Sequence, residues 1–200
     1  MRKFIYLISP NKIYDNFYLD LEKVLSANNV KFFQLRLKNT KKTRIIEIAK
    51  KIKKITKKYK VKFLINDSFK IAKIVNADGF HLGQKDGSLI KIKKNFKNKI
   101  LGVTCHSSKI LAKKAIKYKA NYLAFGSFEK SKLKPKAIRA NINILRWAKR
   151  NTKKKIVAIG GINNLNYKKF LNLGANYIAI SSYIWDNPKI KPEIAIRKLK

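Results

Sequence analysis

Asp67 and Asp86 are the first residues to draw attention, because the 200-residue chain holds only 10 Asp and Glu against 49 Lys and Arg, a formal net charge of +39. Each closes a short apolar stretch: Phe63-Leu64-Ile65-Asn66 runs into Asp67, and Phe80-His81-Leu82-Gly83-Gln84-Lys85 runs into Asp86. Two carboxylates on neighbouring strand ends are the oxygen donors that Mg²⁺ takes, one or two at a time, with water and substrate phosphates completing its shell. Taken singly, either Asp would serve equally well as the N-cap of a following helix. The cations that a metal-bound phosphate needs are present in type. Gln34, Arg36 and Lys38 alternate along one segment and so share one side of a strand, and Ser131 and Lys134 follow a later strand. These groups would neutralise a diphosphate.

A second anion site is readable further on. Gly160-Gly161 and Ser181-Ser182 each follow an apolar run. Both pairs are expected to leave backbone N–H groups at the start of the next helix, the place where barrels bind phosphate. A glycine pair alone is equally a tight turn. Thr104-Cys105-His106 ends another run. Cys105 and His106 point to opposite sides of a strand, which argues against a nucleophilic dyad and makes Cys105 a packing residue. His106 has the bland reading of a polar side chain at a helix start, and His81 that of a buried, hydrogen-bonded histidine.

These residues need elements to hold them. Strands are expected at 3–9, 31–37, 62–66, 79–83, 100–105, 122–126, 155–159 and 177–181, several of them continuous apolar runs of the kind that suits parallel strands buried on both faces. Helical periodicity separates them. Ile45, Ile48, Ala49, Ile52 and Ile55 form one stripe, Leu111, Ala112, Ala115 and Ile116 another after Ser107-Ser108, and Ile142, Leu145, Trp147 and Ala148 a third. Asn163 or Asn164 is the expected cap of a helix at 167–173, Pro192 opens the last helix, and a weaker pattern covers 87–95. Eight strands alternating with eight helices is the arithmetic of an α/β (β/α)8 TIM barrel, a single domain over 1–200. An open doubly wound sheet fits less well, since no Gly-rich fingerprint follows the first strand.

Composition narrows the function classes. A 46% hydrophobic fraction excludes a disordered basic tail, and no apolar run is long enough to cross a bilayer. The single cysteine excludes an internal disulfide framework and fits a reducing compartment, hence a cytoplasmic protein. The charge invites a nucleic-acid partner, but 42 of the basic residues are Lys and only 7 are Arg, the better reader of phosphate and guanine. The lysines are also spread along the whole chain. Lys, Asn, Ile, Phe and Tyr, all with A/T-rich codons, make up 109 residues, and Ile outnumbers Val 28 to 6. Genome composition therefore accounts for most of the charge. The partners expected are small phosphorylated molecules, with neither nucleic acid nor membrane, and a homo-oligomer is compatible with the chain.

The motifs together resemble the thiamine phosphate synthase family over most of the chain. The resemblance rests on the Gln-Leu-Arg-Leu-Lys element at 34–38, Ile-Asn-Asp at 65–67 and Gly-Phe-His-Leu-Gly-Gln-Lys-Asp at 79–86. It continues through Leu-Gly-Val-Thr-Cys-His at 101–106, Phe-Gly at 125–126 onward to Lys134, Ala-Ile-Gly-Gly-Ile at 158–162 and Gly-Ala-Asn at 174–176. It implies a (β/α)8 barrel joining hydroxymethylpyrimidine diphosphate to a thiazole phosphate, with pyrophosphate released. By the same resemblance Asp67 and Asp86 hold Mg²⁺, while Arg36, Lys38, Asn66, Ser131 and Lys134 meet the diphosphate. Gln34 and Thr104 face the pyrimidine, and Gly161, Ser181 and Ser182 take the thiazole phosphate. Lys38, Lys134 and Thr104 would assist the chemistry. Two departures stand out: Leu133 replaces a hydroxyl residue of the family's loop after strand six, and Thr104 stands where Ser is usual. A thiazole tautomerase branch of the same fold, with His106 as acid and base, is the alternative. That branch needs neither the two Asp nor the diphosphate cations. An inactive, basic nucleic-acid-binding protein is the alternative of another class.

Overall fold

In the computed structural model, residues 3–84, 98–129 and 139–200 are described. Their strands are all parallel and follow chain order: β1 (Ile5–Ile8), β2 (Val30–Leu35), β3 (Lys62–Asn66), β4 (Gly79–Leu82), β5 (Ile100–His106), β6 (Tyr122–Phe125), β7 (Lys155–Ile159) and β8 (Tyr177–Ile180). The barrel closes where β1 pairs with β8, Ile5 opposite Ile178 and Leu7 opposite Ile180. This is the expected eight-stranded barrel.

Alternation explains why its strands read as unbroken apolar runs. In β1, Ile5 and Leu7 face outward into the layer beneath the helices, while Tyr6 and Ile8 face the barrel axis. The axial layer also holds Phe32, Leu64, Tyr122, Ala124, Val157 and Ala179. Large residues (Tyr6, Phe32, Tyr122) sit beside small ones (Ala124, Ala179), so the interior is filled rather than hollow.

The helices bury one stripe each and give the other to lysine. In Lys42–Lys58 the buried residues are Ile48, Ala49, Ile52 and Thr56, at helical spacing. In Asn143–Asn151 they are Ile144, Leu145 and Ala148, while Ile142 occupies the N-cap position rather than the buried face. Ser68 and Ser108 cap their helices, accepting from the backbone N–H groups of Ile71 and Leu111 at 3.2 Å each.

Two details differ from expectation. Tyr167–Asn172 has neither Asn163 nor Asn164 as its cap. Asn166 takes that position without a side-chain cap bond, because its amide ties the preceding loop, accepting from the Asn163 backbone and donating to the Gly161 carbonyl. A short helix, Ser182–Trp185, directly follows β8, before Pro192–Arg197. The expected helix at 87–95 lies outside the described residues.

Five ion pairs join described residues to one another: Lys38–Asp67, Arg44–Glu47, Lys58–Glu22, Lys62–Asp78 and Arg139–Glu129. Most described lysines therefore make no ion pair with a described carboxylate and cover helix faces open to water. No helix among the described residues is long and apolar enough to cross a membrane.

Candidate functional site

A cavity of about 1160 Å³ opens at the C-terminal ends of the strands. Its volume lies just above the roughly 300–1,000 Å³ of single small-molecule sites. All the described site residues read from the sequence line it: Gln34, Arg36, Lys38, Asn66, Asp67, Thr104, Gly161, Ser181 and Ser182. Asp86, Ser131 and Lys134 lie outside the described residues.

On one flank, β2 hands its chain to a loop in which alternation persists. Gln34 is buried in the barrel mouth, and Arg36 and Lys38 line the cavity above it. The Arg36 backbone is fixed by the Ser9 hydroxyl, which accepts its N–H at 3.0 Å. Burial pulls the Arg36 guanidinium below its usual range and nearby Asp67 opposes that pull, so a cation is held partly out of water, facing a carboxylate.

Asp67 does not cap the helix behind it, since Ser68 does. Its φ of 61° lies in the left-handed region, which Asp tolerates better than most residues, and its N–H donates to the His81 carbonyl at 2.8 Å. The carboxylate receives Lys38 Nζ at 2.5 Å. Its hard oxygen donors on the cavity wall fit Mg²⁺. The described residues include no cluster of three or more acidic, histidine or cysteine ligands.

The opposite flank departs from the sequence reading. Gly160 and Gly161 do not lead straight into a helix, because Tyr167–Asn172 starts six residues later. They form a turn, with φ of 105° and 64°. A Cβ on Gly160 would fall 2.0 Å from Ser127 Oγ, so only glycine lets this turn pack on the loop after β6. Ser181 donates its hydroxyl to the Ser9 carbonyl at 3.0 Å, tying β8 to the end of β1. Arg139 and Lys189 also line the cavity, and neither was singled out from sequence.

The floor carries a hydrogen-bond chain that sequence reasoning missed. Gln34 Nε2 donates to Tyr6 Oη at 2.5 Å, Tyr6 Oη meets Tyr122 Oη at 2.7 Å, Tyr122 Oη meets His81 Nδ1 at 2.9 Å, and His81 Nε2 meets Thr104 Oγ1 at 2.8 Å. Burial pushes both phenols above their usual range, so they stay protonated and neutral. A signal was available: an inward tyrosine in a barrel needs a partner for its hydroxyl, and alternation turns Tyr6 inward. Gly102 makes room for this chain, because a Cβ there would lie 1.9 Å from Tyr122 Cζ. Gly102→Ala is expected to cost about 1–3 kcal/mol by overpacking, read as a lower urea midpoint. An unchanged midpoint would show that Tyr122 moves aside freely.

β5 ends in an irregularity. Its register with β6 shifts between Thr104 and His106, and His106 takes φ 51°. The bulge sends Cys105 into the outer core and His106 to the cavity mouth. Burial pushes the Cys105 thiol up to about 12, so it is neutral and inert near pH 7, as a packing residue should be.

The chain has relatives among known proteins. The thiamine monophosphate synthase family matches residues 5–184. A thiamine-phosphate synthase of Pelagibacter ubique is 59% identical over 200 residues, covering 100% of this chain and 97% of that protein. One from Clostridium acetobutylicum is 35% identical over 195 residues, covering 96% and 92%. Among solved structures, a thiamine phosphate pyrophosphorylase from Pyrococcus furiosus superposes with a TM-score of 0.87 at 27% identity, covering 98% of this chain and 93% of that one. With its barrel, its matching family model and these relatives, the chain belongs to the thiamine monophosphate synthase family.

Proposed function

We propose that residues 1–200 act as one barrel domain that joins hydroxymethylpyrimidine diphosphate to a thiazole phosphate and releases pyrophosphate. The observation that carries this reading is the two-ended cavity: cations and a carboxylate on the β2–β3 flank, glycine and serine backbone on the β7–β8 flank, and an uncharged floor between them. Arg36, Lys38 and Asn66 receive the diphosphate, as would Ser131 and Lys134 beyond the described residues. Gln34 and Thr104 hold the aminopyrimidine edge. Gly161, Ser181 and Ser182 receive the thiazole phosphate. Asp67, with Asp86, would hold Mg²⁺, which when bound neutralises negative charge on the diphosphate.

The chemistry needs no protein nucleophile. The bond from the pyrimidine methylene carbon to the diphosphate oxygen breaks, the electron pair leaves with pyrophosphate, and the thiazole nitrogen captures the resulting cation. Arg36 and Lys38 stabilise the departing charge. The apolar floor of Ile8, Ala124, Val157 and Ala179 excludes water that would otherwise intercept the cation. His106 at the mouth is the one feature a tautomerase would use, but that reaction gives no role to Arg36, Lys38 and Asp67.

Mixing the two phosphorylated substrates with Mg²⁺ and the wild-type chain should yield thiamine phosphate and pyrophosphate in equal amounts. Absence of product would sink the reading. The same chain should not bind duplex DNA near physiological salt. Tight, steeply salt-dependent binding there would instead favour a nucleic-acid partner.

A further inference from the structure

The floor chain has a direction, and the direction has a consequence at both ends. A phenol has one proton to donate, and a neutral imidazole has one donor and one acceptor nitrogen. Either phenol could donate in the Tyr6–Tyr122 bond, but Tyr6 Oη already accepts from Gln34 Nε2, which leaves Tyr122 Oη as the acceptor for its own proton. The Tyr122 proton then goes to His81 Nδ1, which leaves the imidazole proton on Nε2, pointed at Thr104 Oγ1. Thr104 accepts there and keeps its own O–H to donate. Gln34, its amide N–H engaged, keeps Oε1 to accept.

Resting on the synthase reading above, we infer that Tyr6, Tyr122 and His81 are positioning residues: the relay through them fixes Gln34 as an acceptor and Thr104 as a donor toward the pyrimidine edge. An aminopyrimidine presents the complement, an exocyclic N–H donor beside a ring-nitrogen acceptor. The five groups come from five strands, β2, β1, β6, β4 and β5, so closure of the barrel is what assembles the relay. Packing locks its centre. Tyr122 stacks on His81 with ring centroids 5.7 Å apart, meets Tyr6 edge-on at 5.6 Å, and lies against Phe32 at 5.8 Å. Neutral groups suit this task, since a charge in the floor would compete with the diphosphate cations for the substrate's orientation.

The test has two arms. The chain has only two histidines, so nitrogen NMR of ¹⁵N-histidine-labelled wild type, assigned with His106→Asn, reads the His81 tautomer directly. The expected tautomer carries its proton on Nε2. A proton on Nδ1 would overturn the inference. The second arm is Tyr122→Phe, which removes the central link and leaves the ring. KM for the pyrimidine diphosphate should rise about tenfold, the loss of one neutral hydrogen bond. KM for the thiazole phosphate should stay within about twofold. Equal changes in both, or none, would mark Tyr122 as purely structural and overturn the inference. If Tyr122→Phe does not fold, the wild-type tautomer still decides. A wild type that makes no thiamine phosphate removes the synthase reading and the substrate half of this inference with it, whereas product formation with an Nδ1–H His81 removes the relay alone.

Discussion

Asp67→Asn is expected to lower kcat by about 10²–10³-fold while leaving the fold intact. Asn is the right probe because it tolerates the left-handed φ of 61° at this position nearly as well as Asp, so the substitution removes charge and little else. Alanine would add backbone strain to the loss. On the proposed reading, this carboxylate would hold Mg²⁺ beside Arg36 and Lys38, which line the same cavity, and without it the diphosphate would lose charge that helps it leave. The Mg²⁺ concentration giving half-maximal rate should rise in the variant. Undiminished turnover across a Mg²⁺ titration would remove Asp67 from the reaction.

Lys38→Met carries the second large effect, and it runs in two directions. Lys38 Nζ sits on the Asp67 carboxylate at 2.5 Å, with both side chains partly open to water. An exposed pair of this kind contributes little to stability, so its interest lies in competition. On the proposed reading, the ammonium that would neutralise the diphosphate sits on the carboxylate oxygen that a metal would take. Removing it should reduce kcat by about 10²-fold, the usual cost of one charge-stabilising donor. It should also tighten Mg²⁺ binding to the substrate-free protein, because no ammonium then sits on Asp67 Oδ2. Calorimetric Mg²⁺ titration checks the second half, and a weaker or unchanged affinity would contradict the competition.

Much of the frame was legible before any coordinates. Runs such as Ile156-Val157-Ala158-Ile159 can be short only if both faces are buried, and a chain of eight such units has few folds open to it. Gln34, Arg36 and Lys38 were legible because alternation outlasts the strand by three residues. Three things were hidden for physical reasons. Tyr6 and Tyr122 read as core because a ring buries as well as an aliphatic chain, and their hydroxyls acquire meaning only when β1 and β6 meet across the axis. The register shift after Thr104 arises in pairing with β6 and leaves no local mark on composition. The turn at Gly160 and Gly161 looked like a helix start because Gly-Gly after a strand serves either purpose, and the choice was made by the fit of Gly160 against Ser127.

The shortage of acidic partners for the lysines outside the barrel has a consequence for the medium in which the chain folds. With +39 formal charges and five ion pairs between described residues, like charges crowd the outer helix faces, and folding draws them closer together. Dissolved anions shorten the reach of that repulsion to about 8 Å at physiological ionic strength. The apolar interior must therefore hold the barrel closed against an outward electrostatic pressure, and the surrounding electrolyte sets how large that pressure is.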